Sequence, residues 1–417
     1  MWSLWKKECK QTAKSLIYWL YVICLVLFYV SQMGGMRGRM MTAPKEGQED
    51  YRTYGKKDTA SEAEIMDYGL SRLVTGYYLE TFDTYPVGYV KEVNISEKEK
   101  EEIGEMLADM TGEQPDTLDK KLEEYMMLPW GTEEEASWVP AMRDGYSYEK
   151  FLKNMGRVCE ILGPGSEFTE AKLKYSARTP VDYEGAKKAY ENLVTKDGYT
   201  GGYLRLFSDY MGILMGILPA FLITSRILRD RRAKMQDLIF TRKTSSAVIV
   251  TARCLAGICM AILPVIAISV MPMIDCILFA KGTGIRLDYL AFLKYDLGWL
   301  LPPVMAVTAL GMLVTELSET PLAILVQVIW WFASLQMGIN GMSGGDYGWN
   351  LIPRHNSVVN YGGFANGFGQ LVKNRLLYAA LAVVLTAATI GIYEAKRKGH
   401  FRRRGNILFN RKKSDQA

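Results

Sequence analysis

Few side chains in this sequence have both the type and the spacing that catalysis or metal binding requires. The 417 residues include two histidines, His355 and His400, so a histidine-based metal site or a Ser-His-Asp triad is not expected. The phosphate loop Gly-x-x-x-x-Gly-Lys-Ser/Thr and the motifs His-Glu-x-x-His and Gly-x-Ser-x-Gly are absent. No Cys-x-x-Cys spacing for zinc occurs among the six cysteines, which are Cys9, Cys24, Cys159, Cys254, Cys259 and Cys276. We therefore expect no enzyme, and no metal or cofactor bound by this chain.

The segment from residue 230 to 240 combines charges and apolar side chains in a way that suits contact with another protein. A short helix there would place Met235, Leu238 and Ile239 on one face and charges on the others. The apolar face could anchor on a partner while the charges pair with a polar surface. Alternatively, these charges only fix the membrane topology and contact lipid headgroups.

Charged and aromatic residues near apolar stretches are further candidates, because intramembrane polar groups usually face an interior or a cavity. Asp209 and Asp275 could line an exit for cationic cargo, and Tyr347, Trp349 and Phe364 could gate an outer exit. The alternatives are water-contacting positions at span ends for the acids and a membrane-interface belt for the aromatics. The carboxylates near predicted span ends are Asp209, Asp275, Asp296 and Glu316.

The elements that would position these residues are apolar stretches of about twenty residues, the length that a helix needs to cross a bilayer. Six transmembrane helices are predicted, at residues 15–36, 206–225, 254–279, 297–315, 321–339 and 376–393. We expect an all-α polytopic membrane protein whose first stretch is an uncleaved anchor. The remaining segments are an amphipathic segment 1–14, a polar domain 37–205, loops 226–253, 280–296, 316–320 and 340–375, and a basic tail 394–417.

The polar domain is expected to be mainly helical. Ser96 and Glu99 form a capping box before an amphipathic helix, and Phe151 begins another helical pattern that Gly163-Pro164 ends. A short strand-like piece at 87–93 interrupts the helical patterns. A domain of this length is large enough to have its own core.

Charge predicts the orientation of the spans. The segments 1–14, 226–253 and 394–417 together hold 21 lysines and arginines, and with six spans all three lie on one side, the cytoplasm. Residues 36–205 carry a net charge of −10 and the rest of the chain carries +15. The overall charge of +5 is therefore the sum of an acidic part and a basic part. We expect a bacterial plasma membrane protein with cytoplasmic termini and an extracytoplasmic polar domain. Membrane topology and attraction to anionic lipid are sufficient to explain the basic residues of the tail 394–417, so we do not expect this chain to bind nucleic acid.

The loop after the second span resembles that of ABC-2 type transporter permeases. The matching segments follow in order as Asp230-Arg231-Arg232, the helix 235–240, the turn 241–245 and Arg253-Cys254-Leu255-Ala256. Two departures are Lys234, where glycine is common, and Lys243, where proline is common. The basic amphipathic start, the large domain between spans one and two and the Gly- and aromatic-rich loop before the last span, where family members place re-entrant helices, are also similar to this family.

The resemblance implies a permease subunit of an exporter of a peptide, drug or ion. Two such subunits, identical or paralogous, would pair, and each would rest on a cytoplasmic ATPase that holds the ATP and Mg²⁺. The implied ATPase-coupling residues are Asp230, Arg231, Arg232, Lys234, Met235, Asp237 and Leu238.

Three other readings stay open at this point. A membrane sensor or receptor could bind a ligand with its outer domain, although one or two spans suffice for that task. A membrane-embedded enzyme would need a convergent catalytic set within the spans. An immunity or scaffolding protein would need none of these features.

Overall fold

The computed structural model describes residues 1–86, 90–126, 141–338 and 344–399, which form two compact units. One unit comprises residues 1–42 and the chain from 189 onward, and the other comprises residues 43–188. The predicted tail beyond residue 399 lies outside the described residues. In chain order, the helices of the first unit are α1 (Trp2–Ala13) and α2 (Leu16–Met33), and those of the second are α3 (Glu62–Leu79), α4 (Glu97–Thr111), α5 (Pro115–Met126), α6 (Tyr148–Leu162) and α7 (Glu170–Ser176).

The chain returns to the first unit through α8 (Tyr183–Thr195), which crosses the boundary at residue 188. The following helices are α9 (Thr200–Met215), α10 (Leu218–Arg232), α11 (Gln236–Phe240), α12 (Ser246–Ala280), α13 (Ala291–Tyr295), α14 (Leu301–Ser318), α15 (Leu322–Gly338) and α16 (Tyr361–Arg397). A π-helical turn, Asp296–Leu300, joins α13 to α14.

Among the described residues, five helical stretches are long and apolar enough to cross a membrane. They are Leu16–Arg39, Thr200–Arg232, Ser246–Ala280, Ala291–Ser318 and Tyr361–Arg397. They expose large apolar side chains, such as Leu20 and Leu27 on α2 and Val383 and Val384 on α16, as expected for helices that face lipid. The predicted span 321–339 corresponds to α15, an apolar helix of 17 residues, so the six-span count stays a prediction.

The second apolar stretch is two helices rather than one. The chain breaks at Gly216, where an added Cβ would lie 2.6 Å from Ile352, and Pro219 opens the next helix. The break frees carbonyl groups that water cannot reach in a bilayer core. Side chains of α15 bind them, because Gln327 Nε2 donates to the Gly216 carbonyl at 2.6 Å and Trp331 Nε1 donates to that of Ile213 at 2.8 Å.

The unit 43–188 is mainly helical, as expected, but the all-α class needs one correction. Strands β1 (Thr81–Thr84) and β2 (Lys91–Asn94) pair antiparallel, with Phe82 opposite Val93. The sequence places aromatic and β-branched residues there, which favour strands. The predicted strand piece 87–93 thus overlaps β2, whereas residues 87–89 lie outside the described residues.

The core of this unit confirms the helical patterns of the sequence. Ile103 and Leu107 of α4 and Phe151 and Val158 of α6 are fully buried, and the Glu99 carboxylate accepts hydrogen bonds from the backbone N–H and hydroxyl of Ser96. The unit is narrower than the predicted domain 37–205. Residues from 189 onward belong to the first unit, which we call the membrane unit. Its core includes Tyr199, Tyr203 and Leu204.

A capping box also starts α3, where Glu64 accepts hydrogen bonds from the backbone and hydroxyl of Ser61. Its carboxylate further accepts from Thr179 Oγ1 at 2.6 Å and Lys57 Nζ at 3.1 Å. These donors lower the pKa of Glu64 to about 2, with the Thr179 hydrogen bond as the largest cause.

Candidate functional site

The predicted coupling residues lie where α10 ends and the short helix α11 follows. Lys234 adopts φ +52°, a left-handed conformation that glycine adopts at little cost. Phe240 packs inward, with its ring 5.2 Å from that of Tyr393. Met235 and Leu238 point outward, with 43% and 59% of their surface exposed. The result is a short amphipathic helix with an exposed apolar pair.

A buried charge cluster, Glu8, Arg226, Asp230 and Arg253, joins three helices near this segment. Arg226 contacts Glu8 and Asp230, each at 2.6 Å, and Arg253 contacts Glu8 at 3.3 Å and Asp230 at 2.5 Å. Two cations thus neutralise two carboxylates, each side chain meeting both opposite charges. Because a buried ion of this kind is costly without its partners, the cluster fixes α1, α10 and α12 to one another.

Arg231 belongs to a second group of ion pairs that joins α10 to α14 and α16. Its guanidinium lies 3.1 Å from Glu316 and 2.9 Å from Glu319, and its side chain is only 12% exposed. Lys396 contacts Glu319 at 2.8 Å and donates to the Glu316 carbonyl oxygen. Glu316 and Glu319 therefore serve as partners for these two cations. Asp230 and Arg231 are engaged within the chain.

Most of the other predicted coupling residues are exposed, and Arg232 and Lys234 form no ion pair within the described chain. Arg232 and Lys234 are exposed beside Met235 and Leu238, and together they form the outward surface of this segment. Asp237 lies within α11. After α11, Arg397 donates hydrogen bonds to the Phe240 carbonyl at 2.9 Å and the Thr244 carbonyl at 2.7 Å, as well as to the Arg242 carbonyl, so α16 holds the loop in place.

A second polar site surrounds the loop 344–360, which precedes α16. Asp209 of α9 is fully buried and accepts three hydrogen bonds of 2.9–3.1 Å from the Arg354 guanidinium. The backbone N–H of His355 also donates to Asp209, at 2.8 Å. The carboxylate thus neutralises a cation of this chain and orders the loop backbone.

Side chains of α16 bind the same loop from another side. Asn374 donates to the carbonyls of Gly348 and Asn350 at 3.1 and 2.9 Å. Arg375 donates to the Trp299 carbonyl at 2.8 Å and to that of Leu351 at 3.3 Å. Irregular backbone inside an apolar bundle requires such partners, because an unpaired carbonyl there costs several kcal/mol, roughly 2–7.

Arg205 completes the contacts around the loop. Its guanidinium forms two hydrogen bonds of 2.9 Å with Asp197 and donates to the carbonyls of Val358 and Val359 at 3.0 and 3.2 Å. It also lies 4.8 Å from the ring centroid of Phe364. Phe364 therefore packs against the buried guanidinium of Arg205 in a cation–π contact. We call Arg205, Asp209, Arg354, Asn374 and Arg375 the loop clamp.

The structure brings three of the five predicted pathway residues together at this loop. Asp209 and Phe364 contact the clamp as described, and the buried Tyr347 shares a hydrogen bond of 2.8 Å between its hydroxyl and His355 Nδ1. Trp349 is exposed, and only its carbonyl, which accepts from Tyr378 at 2.8 Å, is bound. Asp275 is half-buried on α12 and forms no ion pair among the described residues.

Asp296 is a fully buried carboxylate in the π-helical turn before α14. Ser269 Oγ donates to its Oδ2 at 2.6 Å, and Oδ1 has no hydrogen-bond partner in the described part of the chain. π-Helical turns inside α-helices often occur at functional sites, and buried acids in membrane helices are rare. Its sequence position near a span end did not indicate this burial.

Sequence reasoning missed most of the residues that organise these sites. Glu8 is an isolated acid in a basic segment, and Arg205 and Arg375 lie one residue outside the predicted spans 206–225 and 376–393. A usable signal existed, since charged residues directly beside apolar stretches tend to be paired or functional.

Within the described ranges, no group of three His, Cys, Asp or Glu side chains is arranged to hold a metal ion. The two sites consist of ion pairs, side chains that bind backbone carbonyls, and the exposed surface of α11. Comparisons with protein-family models, characterised proteins and solved structures find no match to this chain.

Proposed function

We propose that this chain is the permease subunit of an ABC-2 type exporter, which provides the membrane pathway for efflux driven by a partner ATPase. The observation that supports this most is an exposed apolar pair, Leu238 on α11 and Met235 directly before it, beside two helices that are fixed by buried ion pairs. A helix that only connected two membrane spans would have no need to expose this pair beside the cations Arg232 and Lys234.

The ion pairs suggest how a displacement of α11 by the ATPase would be transmitted to the other helices of the membrane unit. α10 and α12 flank α11 and are joined through Asp230 and Arg253, so they would move together with α1 through Glu8. Arg231 would pass the displacement to α14 through Glu316, and Lys396 to α16. Pairs that are costly to separate transmit displacement as rigid contacts. Arg231 then acts as an internal link in this mechanism, and the ATPase would contact Arg232, Lys234, Met235 and Leu238.

The loop clamp is proposed to close the outer end of the bundle. Asp209 is neutralised by Arg354, so its charge would hold the loop rather than attract cationic cargo. Tyr347 and Phe364 are packed against buried polar groups in this arrangement. Opening would require these contacts to separate, which suits a gate that opens only when energy is supplied.

The topology is part of the proposal: six spans, with α15 as the fifth, both termini cytoplasmic and the unit 43–188 outside. The distribution of basic residues supports it. The test is labelling by an impermeant maleimide of single cysteines placed in a cysteine-free variant at Asp144 and at Lys234, both exposed. Intact cells should label the first alone, and labelling of the second without permeabilisation would contradict this orientation.

Photo-crosslinking tests the partner directly. A photoreactive amino acid at Leu238 should capture a soluble chain that contains Gly-x-x-x-x-Gly-Lys-Ser/Thr, identified by mass spectrometry. The same probe at Val90, an exposed apolar residue of the other unit, is the matched control. Capture of no such ATPase at Leu238, or equal capture at Val90, would contradict the assignment and favour a receptor or immunity protein.

A further inference from the structure

A pocket of about 140 Å³ lies where α1 turns into α2 and faces α10. Ser15, the residue before α2, lines it, and Trp19 Nε1 donates to the Ala13 carbonyl at 3.0 Å to fix the turn. An amphipathic helix that leads into an apolar helix places such a corner at headgroup level in a bilayer, where tryptophan is common. The pocket is therefore positioned to meet the polar part of a lipid.

The mouth of the pocket carries cations that the protein does not neutralise. Arg226, Arg229 and Arg232 line it from successive turns of α10. Arg226 is paired with two carboxylates of the charge cluster, but Arg229 donates only to the neutral Gln11, at 2.9 Å to its Oε1. In the described part of the chain no carboxylate pairs with Arg229 or Arg232. Two guanidinium groups thus face the pocket with their charge available.

The floor of the pocket is apolar. Ile17, Tyr18 and Leu222 line it, and Ile17 is 41% exposed at the surface of the bundle. A small free anion gains nothing from this floor, whereas an acyl chain that continues from a bound phosphate would cover it. Ser15 also lines the pocket, and its hydroxyl can donate to a phosphate or ester oxygen, whereas Thr12 Oγ1 already donates to the Glu8 carbonyl at 3.0 Å.

We propose that this pocket binds an anionic phospholipid, with its phosphate held by Arg229 and Arg232 and an acyl chain along Ile17, Tyr18 and Leu222. Guanidinium groups bind phosphate oxygens through paired hydrogen bonds, which gives the site its selectivity for anionic headgroups. The lipid bridges α2 and α10 beside the charge cluster and stabilises the junction that carries α11. The inference rests on the chain spanning a bilayer, and it is tested on the purified chain without an ATPase because Arg232 also belongs to the surface proposed to contact that partner.

The experiment compares the purified full chain in nanodiscs of phosphatidylcholine with and without phosphatidylglycerol of the same acyl chains. Native mass spectrometry measures retained phosphatidylglycerol, and thermal unfolding measures stabilisation. The wild type should retain the anionic lipid and gain stability from it. In R229Q/R232Q the affinity should fall about 30-fold, which corresponds to about 2 kcal/mol for two basic residues.

The matched control is R242Q/K243Q, which removes two exposed cations from the same cytoplasmic loop outside the pocket. It should keep the phosphatidylglycerol preference. Because Arg232 is exposed, R232Q alone provides a variant that folds and should show a partial loss. R229K/R232K retains the charges and should bind more weakly than wild type but better than the glutamine pair.

Three results would overturn the proposal. An unchanged lipid preference in both R232Q and R229Q/R232Q would place the lipid elsewhere. An equal loss of the phosphatidylglycerol preference in R242Q/K243Q would show that the anionic lipid is attracted to the basic loop as a whole and is not bound in the pocket. Stabilisation of the wild type in phosphatidylcholine by inorganic phosphate or soluble glycerophosphoglycerol, to the same extent as by phosphatidylglycerol, would identify a free-anion site.

Discussion

Removal of the Asp209 carboxylate should destabilise the membrane unit severely. Asp209→Ala deletes the acceptor for three hydrogen bonds from Arg354 and one from the backbone N–H of His355, all between 2.8 and 3.1 Å. The Arg354 side chain is only 11% exposed, so its charge is left largely buried without a partner. Breaking a buried pair in this way costs about 3–5 kcal/mol, and we expect a loss of that size in the free energy of unfolding.

The assay is equilibrium unfolding by SDS in mixed micelles, combined with protease accessibility of the loop 344–360. Asp209→Asn is the isosteric control and should lose less, because its carbonyl oxygen can still accept from His355. The double variant D209A/R354A should be less destabilised than the sum of D209A and R354A, by about 1–3 kcal/mol. A loss below about 1 kcal/mol for D209A, or additive single variants, would refute the view that this pair anchors the loop.

Three further predictions concern other parts of the chain. Arg231→Glu should reduce the yield of folded protein by repelling Glu316, and the swap R231E/E316R should restore part of it; no recovery would contradict the internal pairing. Asp296→Asn should change the free energy of unfolding by less than about 1 kcal/mol, because an amide still accepts the Ser269 hydrogen bond, whereas Asp296→Lys should lose several kcal/mol, roughly 3 or more. Burial of Asp296 would be disproved by an equally tolerated lysine. The pKa of Glu64 is lowered in the folded state, so its contribution to stability is present above the ordinary pKa of 4.5 and is lost as pH falls toward about 2. Glu64→Gln should flatten the pH dependence of unfolding of the unit 43–188 in that window, measured by near-UV circular dichroism; an unaltered slope would contradict it.

Patterns that repeat along the chain were predictable from the sequence. The core face of α4, with Ile103 and Leu107, followed from helical periodicity, and so did the apolar stretches. Hydropathy averages place the stretches 15–36, 254–279 and 297–315 within about eight residues of the ends of apolar helices, whereas 376–393 covers only part of α16, which begins at Tyr361. They did not show the break at Gly216 between two helices, for which Gly216 and Pro219 are the local signals in the sequence.

Pairs that form across the fold were not predictable. Glu8 and Arg253 are 245 positions apart, and Asp209 and Arg354 are 145 apart. No local pattern indicates which charge will meet which. For the same reason Arg231 was expected to face a partner protein, although its position in the fold gives it two internal carboxylates. Helical spacing put Leu238 and Ile239 on one face, whereas the structure exposes Leu238 and packs Ile239 against the core together with Phe240.

The most direct measurement of the proposed function is ATP hydrolysis by the chain copurified with its ATPase in lipid nanodiscs. The double variant M235E/L238E alters only exposed side chains and should keep the thermal stability of the wild type, while the ATPase is lost from the preparation and the vanadate-sensitive activity with it. V90E, which places the same charge on an exposed apolar position of the unit 43–188, should retain both. Undiminished ATPase recovery and activity in M235E/L238E would contradict the assignment of α11 as the coupling surface.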